Sequence, residues 1–278
     1  MRTNQTAGYT LTVIVGLAIT LSTRAASLLD EPFNYADGDL TNVAAPFWTY
    51  HSGGGTAATA LSNVLGRAFI NQNDAGSGMA DGNRLLSSSF DVIADNSSLL
   101  YAGFTVNFAA LPFNAGTSTA GSYFAHFKST AANEFYGRIG ANQEGAAPGL
   151  FRIAITTEAW ANGAGTVEFP QDLSLNTDYF VVVKYDMATD RATLWVNPAD
   201  ESSLSVVSTD APSYVAGSIN AFALRQGTTG SSPNQGAPGD LYVDNLKVAT
   251  TFSEVPEPST VCLALAGVAG LLLFGRRR

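Results

Sequence analysis

The spacing of the carboxylates is the first feature of this sequence that could support chemistry. Hydrolysis of a glycosidic bond uses two carboxyl groups that flank the bond. One known arrangement is a Glu-x-Asp-x-Glu run on a single strand, where alternation turns all three acids to the same face. The sequence contains no such run, and its glutamates in the middle of the chain stand ten to fourteen residues apart, at Glu134, Glu144, Glu158 and Glu168. Hydrolysis would therefore need acids from different strands.

The two histidines offer a second route, nucleophilic catalysis. His51 precedes the run Gly53-Gly54-Gly55 and is predicted to lie in a loop, whereas His126 is predicted to lie in a strand. No Gly-x-Ser-x-Gly elbow is present, and no Cys or His pair has the spacing of zinc ligands. The sequence therefore predicts that this protein is not an enzyme.

Sugar binding is the better supported chemistry at this stage. Carbohydrate sites stack an aromatic ring on the sugar, while amides and carboxylates bond its hydroxyl groups. Trp160 and Asn162 fall in a turn-rich stretch, where a large ring would be exposed. We predict these two residues as ligand-binding residues, and we predict that Trp195 lies in the core.

The N-terminus has the three parts of a secretory signal peptide. Arg2 supplies a positive charge, residues 9–21 are uncharged and mostly apolar, and Thr23-Arg24-Ala25 offers small residues at the positions that signal peptidase inspects. We predict a signal peptide at residues 1–25, with cleavage after Ala25 or, alternatively, after Ala26.

The exported part of the chain is acidic. Residues 27–258 keep nine of the fourteen cationic residues and all twenty-three acidic ones, which gives a formal net charge of −14. This charge disfavours nucleic acid as a partner, because nucleic acid binding needs a basic surface. The only cysteine, Cys262, lies in the C-terminal apolar stretch, so stability depends on a hydrophobic core.

The C-terminus combines a short motif, an apolar stretch and a cluster of arginines. The motif is Val255-Pro256-Glu257-Pro258, the predicted hydrophobic helix covers residues 259–275, and the chain ends in Arg276-Arg277-Arg278. The arginines favour a cytoplasmic end, with everything before the helix outside. The fourteen apolar residues 261–274 would span roughly 21 Å, short of the roughly 30 Å hydrocarbon core, which favours a transient signal over a permanent anchor.

This order of parts closely resembles the PEP-CTERM sorting signal. The resemblance implies processing by the membrane protease-transpeptidase exosortase, with the chain held in the inner membrane through its C-terminal helix before processing. It also implies a final location at the cell surface or in the extracellular matrix, in the setting of exopolysaccharide.

Between the two ends, the pattern is that of an all-β domain. Short runs rich in Phe, Tyr, Val, Ile and Thr alternate with Gly, Asn, Asp, Ser and Pro, and no long stretch has helical period. The segment Asp81-Gly82-Asn83 is predicted to be a polar turn. Strands are predicted at residues 99–108, 122–127, 134–139, 150–156, 178–185, 192–196, 219–225 and 240–248. The spacing favours one antiparallel jelly-roll β-sandwich over residues 27–250.

Several of these segments are similar to strands of concanavalin A-like, laminin-G-type jelly rolls. The similarity rests on the hairpin 178–198 with a turn at 187–190, on the opening 30–35 and on the closing 241–248. The resemblance implies that the first and last strands pair in one sheet, which would bring Glu31 close to Asp244. It also implies that these two acids are the candidate ligands of a structural calcium ion.

Taken together, the sequence predicts an exported protein whose ectodomain is a non-catalytic module that binds a glycan or has a structural role. A polysaccharide-degrading glycoside hydrolase on the same fold is the alternative.

Overall fold

The computed structural model describes residues 27–53, 60–71, 79–112, 122–131, 134–157, 166–210, 217–226 and 238–255. These residues form an antiparallel sandwich of two β-sheets with almost no helix, so the all-β prediction is confirmed. The predicted signal segment and the predicted C-terminal hydrophobic helix lie outside the described residues. Within the described part of the chain, no helix has the length and apolar character needed to cross a membrane.

Sixteen strands and two short helices make up the described structure. The strands are β1 (Leu29–Glu31), β2 (Gly38–Asp39), β3 (Trp48–Ser52), β4 (Ser62–Val64), β5 (Arg67–Ile70), β6 (Asp81–Asp91), β7 (Leu99–Phe108), β8 (Ser122–Ser129), β9 (Glu134–Asn142), β10 (Arg152–Thr156), β11 (Val167–Glu168), β12 (Asp178–Asp186), β13 (Arg191–Val196), β14 (Val206–Val207), β15 (Ser218–Leu224) and β16 (Leu241–Ala249). The helices are α1 (Leu40–Val43) and the 3-10 helix η1 (Phe252–Glu254).

The two sheets have simple strand orders. Sheet A runs β14-β13-β12-β7-β16-β5-β4-β2, with β1 also paired to β16. Sheet B runs β11-β10-β9-β8-β15-β6-β3. The pairing of β1 with β16 places Glu31 opposite Leu246, so the first and last strands share a sheet as predicted. Strands β12 and β13 form the predicted hairpin, with Asp186 opposite Arg191.

The core lies between the sheets and is largely aromatic. Phe104 and Phe108 of β7 face Phe222 and Phe151 of sheet B, with ring centroids 5.8 Å apart for Phe104 and Phe222 and 4.3 Å apart for Phe108 and Phe151. All four side chains are fully buried. Large rings bury much apolar area each, which lets a domain without described disulfides hold together.

The predicted strands are present with small shifts at their ends. Strand β7 has the predicted bounds, and the ends of the other seven differ by at most three residues. Two local predictions were wrong: Asp81-Gly82-Asn83 begins the eleven-residue strand β6, and His51 lies in β3. The reason is that Gly82 faces the core, where an added Cβ would lie 2.9 Å from Leu61, while its polar neighbours point outward. Polar residues on an outer sheet face resemble a turn in sequence.

Candidate functional site

We call the part of the outer face of sheet B that lies above β15, between β6 and β8, the trough. Two alanines of β15 form its floor: Ala223 lies between Asn83 and His126, and Ala221 lies between Leu85 and Lys128. Directly opposed residues on neighbouring strands share a face of the sheet. The short alanine side chains therefore leave a low floor between longer side chains from β6 and β8.

One end of this trough holds a pocket of about 350 Å³. One histidine, His51, and one cation, Lys128, line this pocket. The other lining residues are Thr49, Tyr50, Asn83, Leu85 and Thr130. A second pocket, of about 440 Å³, shares Thr49 and Leu85 with the first and extends to the exposed ring of Phe47. The two pockets therefore adjoin and form one elongated depression.

The two histidines meet above the trough. The ring centroids of His51 and His126 are 5.9 Å apart with the ring planes perpendicular. Tyr123 and Phe135 lie beside His126, with centroids at 5.5 Å and 4.5 Å. His126 is fully buried, and neither of its ring nitrogens has a hydrogen-bond partner among the described residues. An unsatisfied buried polar group costs about 1–3 kcal/mol, and such a group marks a place where a ligand or water completes the bonding.

Both histidines are neutral at pH 7. Burial lowers the pKa of His51 to about 4, and the neighbouring Lys128 charge contributes in the same direction. Burial also lowers the pKa of His126 well below its usual value, with His51 as the next cause. A neutral imidazole can accept a proton, which a charged one cannot.

Three cations surround the histidines and stack on aromatic rings. The ammonium of Lys128 lies 4.5 Å from the ring centroid of Phe135, and the guanidinium of Arg225 lies 4.4 Å from that of Tyr123. Arg138 covers the same tyrosine at 4.9 Å. Burial lowers the pKa of Lys128, while Asp81 and Glu134 act against this shift. We call the set His51, Tyr123, His126, Lys128, Phe135, Arg138 and Arg225 the cationic face.

Asp81 is the carboxylate nearest to this face along β6. It accepts a hydrogen bond from the Ser52 hydroxyl and another, at 2.9 Å, from the backbone N–H of Gln226. Burial raises the pKa of Asp81, while Ser52 and Arg225 act in the opposite direction. Its oxygens are thus engaged with the protein, while its charge, like that of Glu134, acts on Lys128.

The neutral histidines predict a pH dependence of stability. In the unfolded chain both histidines take up a proton near pH 6.5, whereas in the folded protein His51 does so only near pH 4 and the pKa of His126 is also well below its usual value. Between these values the unfolded state holds more protons, so the free energy of unfolding falls as the pH falls from 6.5 towards 4. Lys128 and Arg225 are the other charged groups that act on both rings, and Arg138 also acts on His126.

Thermal unfolding of the chain and of a His51→Gln, His126→Gln double variant between pH 4 and 7 measures this effect. We expect the melting temperature of the variant to fall less on acidification, because glutamine takes up no proton. Above pH 6.5 the difference in melting temperature between the unmodified chain and the double variant should not change with pH. Equal slopes for both proteins below pH 6.5 would contradict the assignment.

The predicted sugar-binding residues and most of the sorting motif cannot be placed. Trp160, Asn162, Pro256-Glu257-Pro258 and Arg276-Arg277-Arg278 lie outside the described residues. Val255 is described and is 1% exposed. Trp195 is 2% exposed, as predicted, although it belongs to a small cluster on the outer side of sheet A and not to the main core.

The predicted calcium ligands are engaged with protein groups. Glu31 is fully buried and accepts hydrogen bonds from the backbone N–H of Phe33 at 2.8 Å, from the Tyr35 hydroxyl at 2.9 Å and from the indole N–H of Trp48 at 2.8 Å, and it also pairs with Arg84. Asp244 lies 3.9 Å from the guanidinium of Arg67. Within the described ranges, no group of three or more His, Cys, Asp or Glu residues could hold a metal ion. Calcium at Glu31 and Asp244 stays a prediction.

The cationic face was not predicted from the sequence. Its cations belong to β8, β9 and the end of β15, and Arg225 is 87 positions from Arg138 in the chain. The one local signal was the alternation of His126 and Lys128 along a predicted strand, which places both on the same face.

The C-terminal residues carry a recognisable sorting signal. Residues 254–278 match the family model described as the PEP-CTERM protein-sorting motif. The chain therefore ends in a PEP-CTERM sorting motif, which implies export, anchoring through the C-terminus before processing, and processing by an exosortase. A search of curated proteins found no match.

Solved structures with a similar fold include several alginate lyases and a carbohydrate-binding module. A mutant of alginate lyase Aly36B in complex with alginate tetrasaccharide is 17% identical, with 82% of this chain and 98% of that chain covered and a TM-score of 0.49. The marine PL7 alginate lyase AlyA1 from Zobellia galactanivorans is 15% identical over 77% and 100% of the two chains, with a TM-score of 0.42. The CBM2 module of the evolved Dit of Lactobacillus casei BL23 phage J-1 is 11% identical over 81% and 95%, with a TM-score of 0.43.

The prediction that the protein is not an enzyme is corrected by these neighbours, because alginate lyases recur among them. The sequence-based argument asked for a pair of carboxylates or an activated nucleophile. Elimination, the reaction of a lyase, needs neither, because it begins with removal of a proton next to a carboxyl group. That argument therefore did not cover elimination.

Proposed function

We propose that the ectodomain degrades an acidic polysaccharide by β-elimination on the cationic face. The observation that carries this proposal is the concentration of three cations and two neutral histidines around one trough. The exported part of the chain is otherwise strongly acidic, with a formal net charge of −14. A local positive site in a negative protein selects anionic ligands by charge complementarity.

The electrostatics of the cationic face favour an anion. Lys128, Arg138 and Arg225 gather around the same two rings, and burial already lowers the pKa of the lysine. A carboxylate in the trough would offset the repulsion among these charges. It would also stabilise the protonated form of His51, whose pKa is lowered in part by Lys128. Ligand binding would thereby raise the basicity of the imidazole.

The cluster contains the groups that elimination requires. Lys128 and Arg225 neutralise the sugar carboxylate and so make the neighbouring C–H more acidic. His51 lines the pocket beside Lys128 and takes that proton. The electron pair forms a carbon–carbon double bond, and the bond to the departing glycosidic oxygen breaks. Tyr123 returns a proton to this oxygen; its ring lies beside the guanidinium groups of Arg225 and Arg138, at 4.4 Å and 4.9 Å.

Elimination fits the geometry better than the hydrolysis predicted as an alternative. Hydrolysis needs two opposed carboxyl groups, one of them free to act on the leaving oxygen. Asp81, the acid beside the cationic face, has its oxygens bonded to Ser52 and Gln226. The proposed reaction therefore uses the histidine and tyrosine side chains.

The elongated depression suits a polymer. The pocket at His51 and Lys128 continues through Thr49 and Leu85 into the pocket that reaches Phe47. Several sugar units of a chain could lie along this path, with the reacting carboxylate at the cationic end. The sorting motif adds a setting, because a protein processed to the cell surface or extracellular matrix would meet exopolysaccharide there.

Turnover of a polysaccharide panel tests the proposal. The purified protein is mixed with acidic polymers such as alginate and polygalacturonate and with neutral glucans as controls. We expect ultraviolet absorbance from an unsaturated product to rise with at least one acidic polymer and with none of the neutral ones. New reducing ends without that absorbance would show hydrolysis, and binding without any product would show a lectin; either result would overturn the proposal.

A further inference from the structure

The last described residues of the chain fold back onto the outer side of sheet A. We call Phe252–Glu254, which form η1, together with Val255 the C-terminal clasp. Phe252 is 7% exposed and Val255 is 1% exposed. They complete a small hydrophobic cluster, separate from the main core, with Tyr101, Val182, Trp195 and Ala249.

The contacts of the clasp are specific. The ring of Phe252 meets Trp195 at a centroid distance of 5.4 Å and Tyr101 at 6.1 Å, both nearly edge to face. Glu201 holds these two rings in place: its carboxylate accepts the Tyr101 hydroxyl at 2.7 Å, and its backbone carbonyl accepts the Trp195 indole N–H at 3.3 Å. The clasp thus packs against two rings that Glu201 also contacts.

A glycine makes room for Val255. A Cβ added at Gly103 would lie 2.9 Å from the Cβ of Val255, 3.1 Å from its carbonyl oxygen and 3.0 Å from the ring of Phe180. Separations below about 3 Å between such atoms require one of them to move. Gly103 lies in strand β7, which is paired with β12 on one side and β16 on the other. Because this strand is held on both sides, we expect an added methyl group to displace the clasp and not the strand.

The clasp overlaps the sorting motif. The motif begins at residue 254, so Glu254 and Val255 belong both to the folded domain and to the signal, and Pro256 is the next residue in the chain. A protease or transpeptidase takes up its substrate as an extended segment, and cleavage of a folded segment follows the population in which that segment has opened.

We propose that the docked clasp restrains processing of the sorting motif, so that the processing enzyme acts on the fraction of molecules in which Phe252 and Val255 have left the small hydrophobic cluster. The folded sandwich thereby sets the rate at which the sorting motif is processed. This inference depends on the sorting motif and not on the proposed lyase activity.

Gly103→Ala in the full-length chain tests the inference, because its methyl group displaces Val255 from the small hydrophobic cluster. Precursor and processed forms are followed by pulse-chase and mass spectrometry in cells that contain the processing enzyme. We expect processing to accelerate about fivefold or more, as the open population rises from a minor fraction. Thr105→Ala is the matched control, since Thr105 lies two residues along the same strand, opposite Asp244 and away from the clasp.

A second variant separates release of the clasp from damage to the fold. Phe252→Ala removes the main anchor, lies outside the matched motif and leaves the sandwich core intact. We expect it to accelerate processing as Gly103→Ala does, while the melting temperature of the exported domain stays near that of the control. Unchanged or slower processing in both variants, with the domain folded, would overturn the proposal.

Discussion

Replacing Lys128 with methionine should lower turnover of an acidic polysaccharide by about a hundredfold to a thousandfold, the usual effect of removing a group that stabilises developing charge in a closed site. Methionine keeps the apolar stem that packs near Phe135, so the loss would come from the missing charge. Because that charge acts on the carboxylate as the proton leaves, we expect kcat to fall more than KM rises.

His51→Gln should also lower turnover of the acidic polysaccharide, by about a hundredfold to ten-thousandfold, because it removes the proposed proton acceptor. Both variants are measured by the ultraviolet absorbance of the unsaturated product. Lys184→Met is the matched control: this lysine also lies over an aromatic ring, 5.7 Å from the centroid of Trp195, but on sheet A. Full activity in the Lys128 and His51 variants, or equal loss in the control, would contradict the proposed roles.

Glu31→Gln should destabilise the sandwich by about 3–5 kcal/mol. The carboxylate is fully buried, with Arg84 as its charged partner and three further donors around it. Glutamine keeps the shape but leaves the guanidinium of Arg84 without its counter-charge and turns an N–H group towards donors. Urea unfolding, followed by fluorescence, measures the loss.

Asp244→Asn is the matched control and also tests the calcium prediction. Its ion pair with Arg67 is long, at 3.9 Å, and partly exposed, so we expect a loss of under about 1 kcal/mol. If Glu31 acts only as a buried hydrogen-bond acceptor, EDTA should leave both unfolding curves unchanged. A calcium ion shared by the two acids would instead make Asp244→Asn as harmful as Glu31→Gln, and EDTA would lower the stability of the unmodified protein.

Local patterns predicted the strands well, because strand formation in this chain follows the apolar and β-branched content of short segments. The run 99–108 is the clearest example, since seven of its ten residues are buried. Strand β6 was missed for the opposite reason. Its outer positions carry Asp81, Asn83 and three serines, and only the core on its other side makes a strand of such a polar segment.

The wrong prediction for His51 has the same origin. His51 follows an aromatic segment and precedes glycines, which indicates a loop, yet pairing with β6 extends β3 through Ser52. The protein groups that surround Glu31 were also not predicted from the sequence. Its four partners come from residues 33, 35, 48 and 84, and only folding brings them to one carboxylate.

The sequence alone determined the C-terminal sorting motif, the acidic charge of the exported part and the all-β class, because each depends on composition or on a pattern within a few consecutive residues. Only the tertiary structure showed which residues form the cationic face and where the C-terminal clasp packs. Strand β15 enters between β6 and β8 from far along the chain, and this placement sets two alanines between His126 and Asn83 and between Lys128 and Leu85. Contacts of such long sequence separation arise from sheet order, which short-range patterns do not encode.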